Sequence, residues 1–179
     1  MNAEEALEKL KKGNKAYITA EKNSGDISPA IRKTTCSQGQ HPYAVIVTCS
    51  DSRVIPESIF SAGIGELFVI RAAGNVIDNV QLGSVEYAAE HLGCPLVVVL
   101  GHSGCGAVDA AVNHSPTGFV KFITDEIRAA VGDEKDDVKA CCLNVRRSVA
   151  RIKESLPIEN LSVIGALYRL ESGKVEFFD

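Results

Sequence analysis

Three short apolar runs constrain the fold more than anything else in the chain: "YAVIVT" (Tyr43 to Thr48), "ELFVI" (Glu66 to Ile70) and "PLVVVL" (Pro95 to Leu100). Each is continuous rather than alternating, the pattern of a strand covered on both faces. Between the second and third lies "NVQLGSVEYAAEHLG", where Val80, Leu82, Val85, Ala88, Ala89 and Leu92 make a broad helical stripe and Gly93 can end the helix. Strands alternating with helices imply a parallel sheet with right-handed crossovers. The closing "LSVIGALYRLESGKVEFF" reads as two strands joined at "ESGK", an antiparallel edge or a surface for a partner chain. From about Asn113 to Asp137 the pattern is polar and irregular, with one short helix expected near "FVKFITDEIRAAV", and a helical region follows at "CCLNVRRSVARIKESL".

Composition narrows the function. At 179 residues, with no Pro/Gly/Ser-rich linker, a single domain spanning 1–179 is expected. The net charge is −4 and the basic residues are dispersed, which argues against a nucleic-acid or polybasic membrane surface. The first stretch, "MNAEEALEKLKKGNKAY", is a charged helical segment with Leu7 and Leu10 on one face, without the apolar centre of a secretory signal, and no later run is long enough to span a bilayer. A cytoplasmic location is the expectation. In that reducing compartment the six cysteines are not read as a disulfide framework, which leaves metal ligation, catalysis or packing.

Ligands of open parallel sheets collect beyond the carboxyl ends of the strands. The first run ends in "TCSDSR" and the third in "GHSGCGA", which matches neither the Walker pattern nor the dinucleotide fingerprint. Cys49, His102 and Cys105 offer two thiolates and an imidazole, a known three-ligand set for catalytic zinc with a fourth position left open. A structural zinc site is normally closed by four protein ligands, and Asp51 is the one obvious candidate for a fourth. Alone, a strand-end cysteine is more often packed than ligating. Asp51 and Arg53 alone read as a surface ion pair that contributes little to stability. The two loops together favour the metal. Cys36 and Cys94 are expected as small fillers, and Cys141 and Cys142 as packing residues of which at most one faces inward. His41 and His114 are possible proton relays, although nothing places either at a pocket.

"CSDSR" followed by "GHSGCG" resembles the paired signature of the β-class carbonic anhydrases. The segment from "VIPESIF" to "GHSGCGAV" is similar to that family's central block, and "GALYRLESGKVEFF" to its C-terminal strands. The resemblance implies an α/β fold with a mainly parallel sheet and flanking helices, an antiparallel C-terminal edge strand, and an N-terminal helix packing on a partner subunit. It implies Zn2+ held by Cys49, His102 and Cys105, with Asp51 and Arg53 as a catalytic dyad and Asp51 able to become a fourth ligand in a closed state. Gln40, Phe68, Tyr87 and Gly106 match substrate-binding positions, the aromatics coming from the neighbouring subunit of a homodimer or dimer-based tetramer. The implied reaction is reversible hydration of CO2 to bicarbonate; CS2 or COS hydrolysis and noncatalytic zinc binding are the rivals on the same scaffold. Family members regulated through a noncatalytic bicarbonate site use a tryptophan there; this sequence has none, so no regulation of that kind is expected.

Overall fold

The computed structural model describes residues 1–19 and 22–178. The apolar runs form β1 (Ala44–Thr48), β2 (Leu67–Arg71) and β3 (Leu96–His102), and the chain's end adds β4 (Ser162–Tyr168) and β5 (Val175–Phe178). They make one sheet in the order β2-β1-β3-β4-β5. The first four strands run parallel, and β5 returns antiparallel to β4.

Successive side chains of a strand point to opposite faces, and the core divides accordingly. Ala44, Ile46, Leu96, Val98 and Leu100 face one apolar layer, shared with Leu10, Ile59 and Phe60. Val45, Val47, Val97 and Val99 face the other, shared with Val85, Ala88, Val145, Val149 and Ile152. The helices supplying these layers are α1 (Ala3–Thr19) and the one-turn α3 (Pro56–Ile59) on one side, with α4 (Asn79–Glu86) and α7 (Asp137–Ser155) on the other. Helices α2 (Pro29–Gln38), α5 (Gly106–Asn113) and α6 (Val120–Val131) complete the set. The one helix expected in the irregular interval is α6.

The N-terminal helix seats one face on its own chain, where Ala6, Leu10 and Asn14 are buried, and leaves its other faces exposed or half-buried. Burying Leu10 alone contributes about 1.5–3 kcal/mol. Asn14 Nδ2 donates to the Ile59 and Gly173 carbonyls, and its Oδ1 accepts the Val175 N–H. A Cβ at Gly13 would stand 1.9 Å from the Phe60 carbonyl oxygen, so only glycine allows this approach. β2 is an edge strand, with Leu67, Phe68 and Val69 half-buried rather than covered on both faces. An apolar run does not reveal which strand stands at an edge. The 79–93 helix forms, capped by an Asp78–Gln81 box and ending in a π-helical turn at Tyr87–His91, but Val80 of its stripe is 74% exposed. Cys36, expected as a filler, is exposed on α2.

Candidate metal centre

The carboxyl ends of β1 and β3 lie side by side. Thr48 pairs with Leu100, so Cys49 emerges one step beyond β1 next to His102, the last residue of β3. A tight turn through Gly104 (φ 63°) then brings Cys105 back as the N-cap of α5. The cysteine sulfurs and the imidazole nitrogen all lie within 4.8 Å of one another, and all three residues are buried. A tetrahedral zinc ion needs such donors about 3.4–3.8 Å apart, a spacing that falls within this bound.

Two further features fit a cation. His102 Nδ1 lies 3.0 Å from the Ser103 carbonyl, which fixes the ring, while Nε2 is buried without a hydrogen-bond partner. A buried, orphaned imidazole nitrogen is costly unless something ligates it. The second feature is electrostatic. The adjacent Cys105 thiol, His102 and the N–H groups of Asp51 and Gly74, 3.4 and 3.3 Å from its sulfur, hold Cys49 down to about 4. That negative charge, together with burial, pushes Cys105 up. Burial works against a charged His102, but Cys49, the Ser103 carbonyl and Asp51 outweigh it and raise the imidazole. Without a cation the pocket tolerates one thiolate; with one it can hold two.

Beside the cluster, Arg53 grips Asp51 bidentately, Nε to Oδ1 at 2.9 Å and Nη2 to Oδ2 at 2.7 Å. The Arg53 N–H adds a further bond to Oδ1 at 2.9 Å. These bonds hold the Asp51 carboxyl well below the usual carboxylate range. Its Oδ2 stands 3.9 Å from His102 Nε2. The Gly106 N–H opens α5 directly after Cys105, where helix geometry gives it no acceptor.

The remaining expected residues lie elsewhere in the protomer. Phe68 pairs with Val45, three steps or about 10 Å back from the Thr48–Arg71 level. Its ring centroid is 6.2 Å from that of Tyr87, which in turn lies 5.3 Å from His91. Gln40 is exposed in the segment entering β1, at the amino end of the sheet. These three are therefore not brought to this chain's own cluster. His41 shares that end, and His114 caps the far end of α5 beside Asp109, so neither relay candidate adjoins the cluster.

Sequence reasoning missed Arg71, which ends β2 and donates to the carbonyls of Cys49 (3.2 Å) and Asp51 (2.7 Å), clamping the first loop. Its signal was available: a guanidinium closes the second apolar run just as chemistry closes the others. It also missed Asp137, whose Oδ2 accepts the Gly104 N–H at 2.8 Å, and Asn144, which donates to the Gly74 carbonyl at 2.7 Å.

An α/β sheet whose adjacent parallel strands converge two thiols, an imidazole and an Arg-held carboxylate defines a class of protein whose site could hold a metal ion. The carbonic anhydrase family model matches residues 44–175. A carbonic anhydrase of Mycolicibacterium smegmatis is 35% identical over 96% of this chain and 91% of its own length. The β-carbonic anhydrase of Aspergillus fumigatus superposes with a TM-score of 0.74 at 28% identity, covering 84% of this chain and 81% of that one. A structure of tetrameric β-carbonic anhydrases from Sordaria macrospora gives 0.71 at 25% identity, covering 93% and 90%. The chain belongs to the β-class of carbonic anhydrases, a family of lyases.

Proposed function

We propose that the protein binds one Zn2+ through Cys49, His102 and Cys105 and catalyses the reversible hydration of CO2 to bicarbonate and a proton. The observation that carries this reading is the buried, unpartnered His102 Nε2 facing two thiols beside an Asp51 already held by Arg53. When bound, zinc supplies a water molecule acidified enough to attack CO2 near neutral pH. Asp51 accepts a hydrogen bond from the attacking water and so aims its lone pair at the substrate carbon. Arg53 keeps Asp51 ionised and oriented, and with both carboxylate oxygens so engaged Asp51 serves as dyad partner rather than fourth ligand. The Gly106 N–H is a donor for a substrate oxygen. A noncatalytic zinc-binding protein has no chemical use for such a dyad.

Gln40, Phe68 and Tyr87 complete the pocket of a second subunit, in a cytoplasmic homodimer or dimer-based tetramer. This assignment rests on their distance from their own chain's cluster, and tetramers occur in the Sordaria relatives. It makes turnover depend on assembly: dilution into monomers should abolish activity before the chain unfolds, as light scattering paired with rate measurements will show. Stopped-flow CO2 hydration on protein of measured zinc content tests the reaction, with CS2 and COS run in parallel. Zinc near one per chain with no turnover of CO2 overturns the proposal, and turnover of CS2 or COS alone reassigns the substrate.

A further inference from the structure

Helix α7 carries a line of small and polar residues, Asp137, Cys141, Asn144 and Ser148, spaced so that they share one face. Each meets a loop that frames the metal centre. Ser148 Oγ donates to the Asn75 carbonyl at 3.1 Å, and Asn144 Nδ2 to the Gly74 carbonyl, steadying the turn whose Gly74 N–H faces Cys49. The Cys141 thiol lies against the Cys105 backbone N–H and 4.0 Å from Asp137 Oδ1. Asp137 Oδ2 takes the Gly104 N–H at 2.8 Å, in the second ligand loop.

Gly104 is the joint of greatest consequence. Its N–H is held by Asp137, while its carbonyl accepts Arg53 Nη2 at 3.2 Å, the same nitrogen that donates to Asp51 Oδ2 at 2.7 Å. Its left-handed backbone (φ 63°) turns these two groups toward different partners. We infer that Asp137 is a positioning residue for the Asp51–Arg53 dyad, acting through Gly104. A carboxylate on the N–H fixes the peptide plane before Gly104, which sets the direction of the carbonyl after it and thereby the plane of the guanidinium. Arg53 is otherwise mostly exposed, with its side chain at 57% relative accessibility, so its orientation rests on these few bonds. Asp137 touches neither the metal ligands' donor atoms nor the place where substrate reacts; its influence is on aim. The inference rests on the proposed hydration reaction only for its kinetic readout.

The test uses zinc-loaded, full-length protein with nitrogen-15 at glycine and arginine, following the Gly104 amide and the Arg53 Nε–H by NMR alongside CO2 hydration and zinc analysis. Asp137→Ala should speed hydrogen exchange at both groups and lower kcat by roughly three- to thirtyfold, with KM and zinc content nearly unchanged. Asp137→Asn keeps an acceptor oxygen and should lose less. Asp136→Ala is the control for stability: it removes the side chain that caps α7 at the Lys139 N–H, and should lower Tm while leaving the Gly104 amide and kcat alone. In an Arg53→Ala background, Asp137→Ala should add less than a twofold further loss. Losses that multiply in that background, or an Asp136→Ala variant as slow as Asp137→Ala, overturn the positioning role. Exchange at Arg53 Nε unchanged by Asp137→Ala overturns it as well, and this readout stands even if the protein turns over no CO2.

Discussion

Cys49 and Cys94 are both buried, both thiols, and both adjacent to strands of the same sheet, yet they are chemically opposite. Cys94 sits at the amino end of β3 and donates to the Pro42 carbonyl at 3.3 Å; burial pushes it up to about 11. Cys49, at the carboxyl end of β1, meets a neighbouring thiol, an imidazole and two backbone N–H groups, and falls to about 4. Burial is common to both, so burial does not decide reactivity. What decides it is which end of a parallel sheet the residue occupies. At the carboxyl ends, loops and helix starts converge and bring the Cys105 thiol and His102 onto Cys49; at this amino end Cys94 meets only backbone, the Pro42 carbonyl and the Leu96 N–H, too little to offset its burial.

The strongest way to break this contrast is Cys105→Ser, which replaces a thiolate by a weakly acidic hydroxyl. It should remove most of the zinc and the activity while leaving much of the fold, as metal analysis, turnover and thermal melting on one sample will show. Full zinc occupancy in this variant would mean that the ligand is misassigned.

Next in size is Asp51→Asn, which keeps the shape and loses the charge. Zinc should stay, and the hydration rate should fall roughly ten- to a thousandfold. If zinc leaves with the activity, Asp51 is a standing ligand and the Arg53-held arrangement is not the working one. The pair also bears on acid stability. The folded Asp51 carboxyl lies below its ordinary value, so its contribution is complete above the ordinary carboxylate range and is lost as pH falls through the lower, folded value. Acid melts of wild type and Asp51→Asn should therefore converge at low pH.

Metal removal sharpens the comparison of the two thiols directly. In chelated, still folded protein, Cys49 should alkylate faster than Cys94 at pH 6, since its neighbours hold Cys49 down to about 4 while burial pushes Cys94 up to about 11. The signs for stability are opposite. The Cys49 contribution in the metal-free protein is lost as pH falls from 9 toward 4, and that of Cys94 as pH rises from 9 toward 11. Mass-spectrometric site mapping across pH reads the labelling. The smallest effect belongs to Cys94→Ala, which should cost about 1 kcal/mol in packing and leave zinc and turnover untouched; measurable zinc loss there would blur the distinction between the two ends.

The sequence by itself determined the strands, their parallel connection, the C-terminal hairpin and the loops carrying Cys49, Asp51, Arg53, His102 and Cys105. These are local properties: apolar runs, helical periodicity, and reactive side chains at strand ends. Only the tertiary structure decided that β2 is an edge, that Cys36 is exposed, and that Phe68 and Tyr87 lie away from their own chain's cluster. It alone brought Arg71 onto the first loop and Asp137, from 33 residues away, onto Gly104, and set Asn144 against Gly74 across 70 residues. The physical reason is that such contacts depend on strand order and helix rotation, which the packing of the whole core selects. An aspartate in the first turn of a helix reads locally as a dipole partner or cap; only where α7 lies on the sheet does it also become the support of the loop carrying His102 and Cys105.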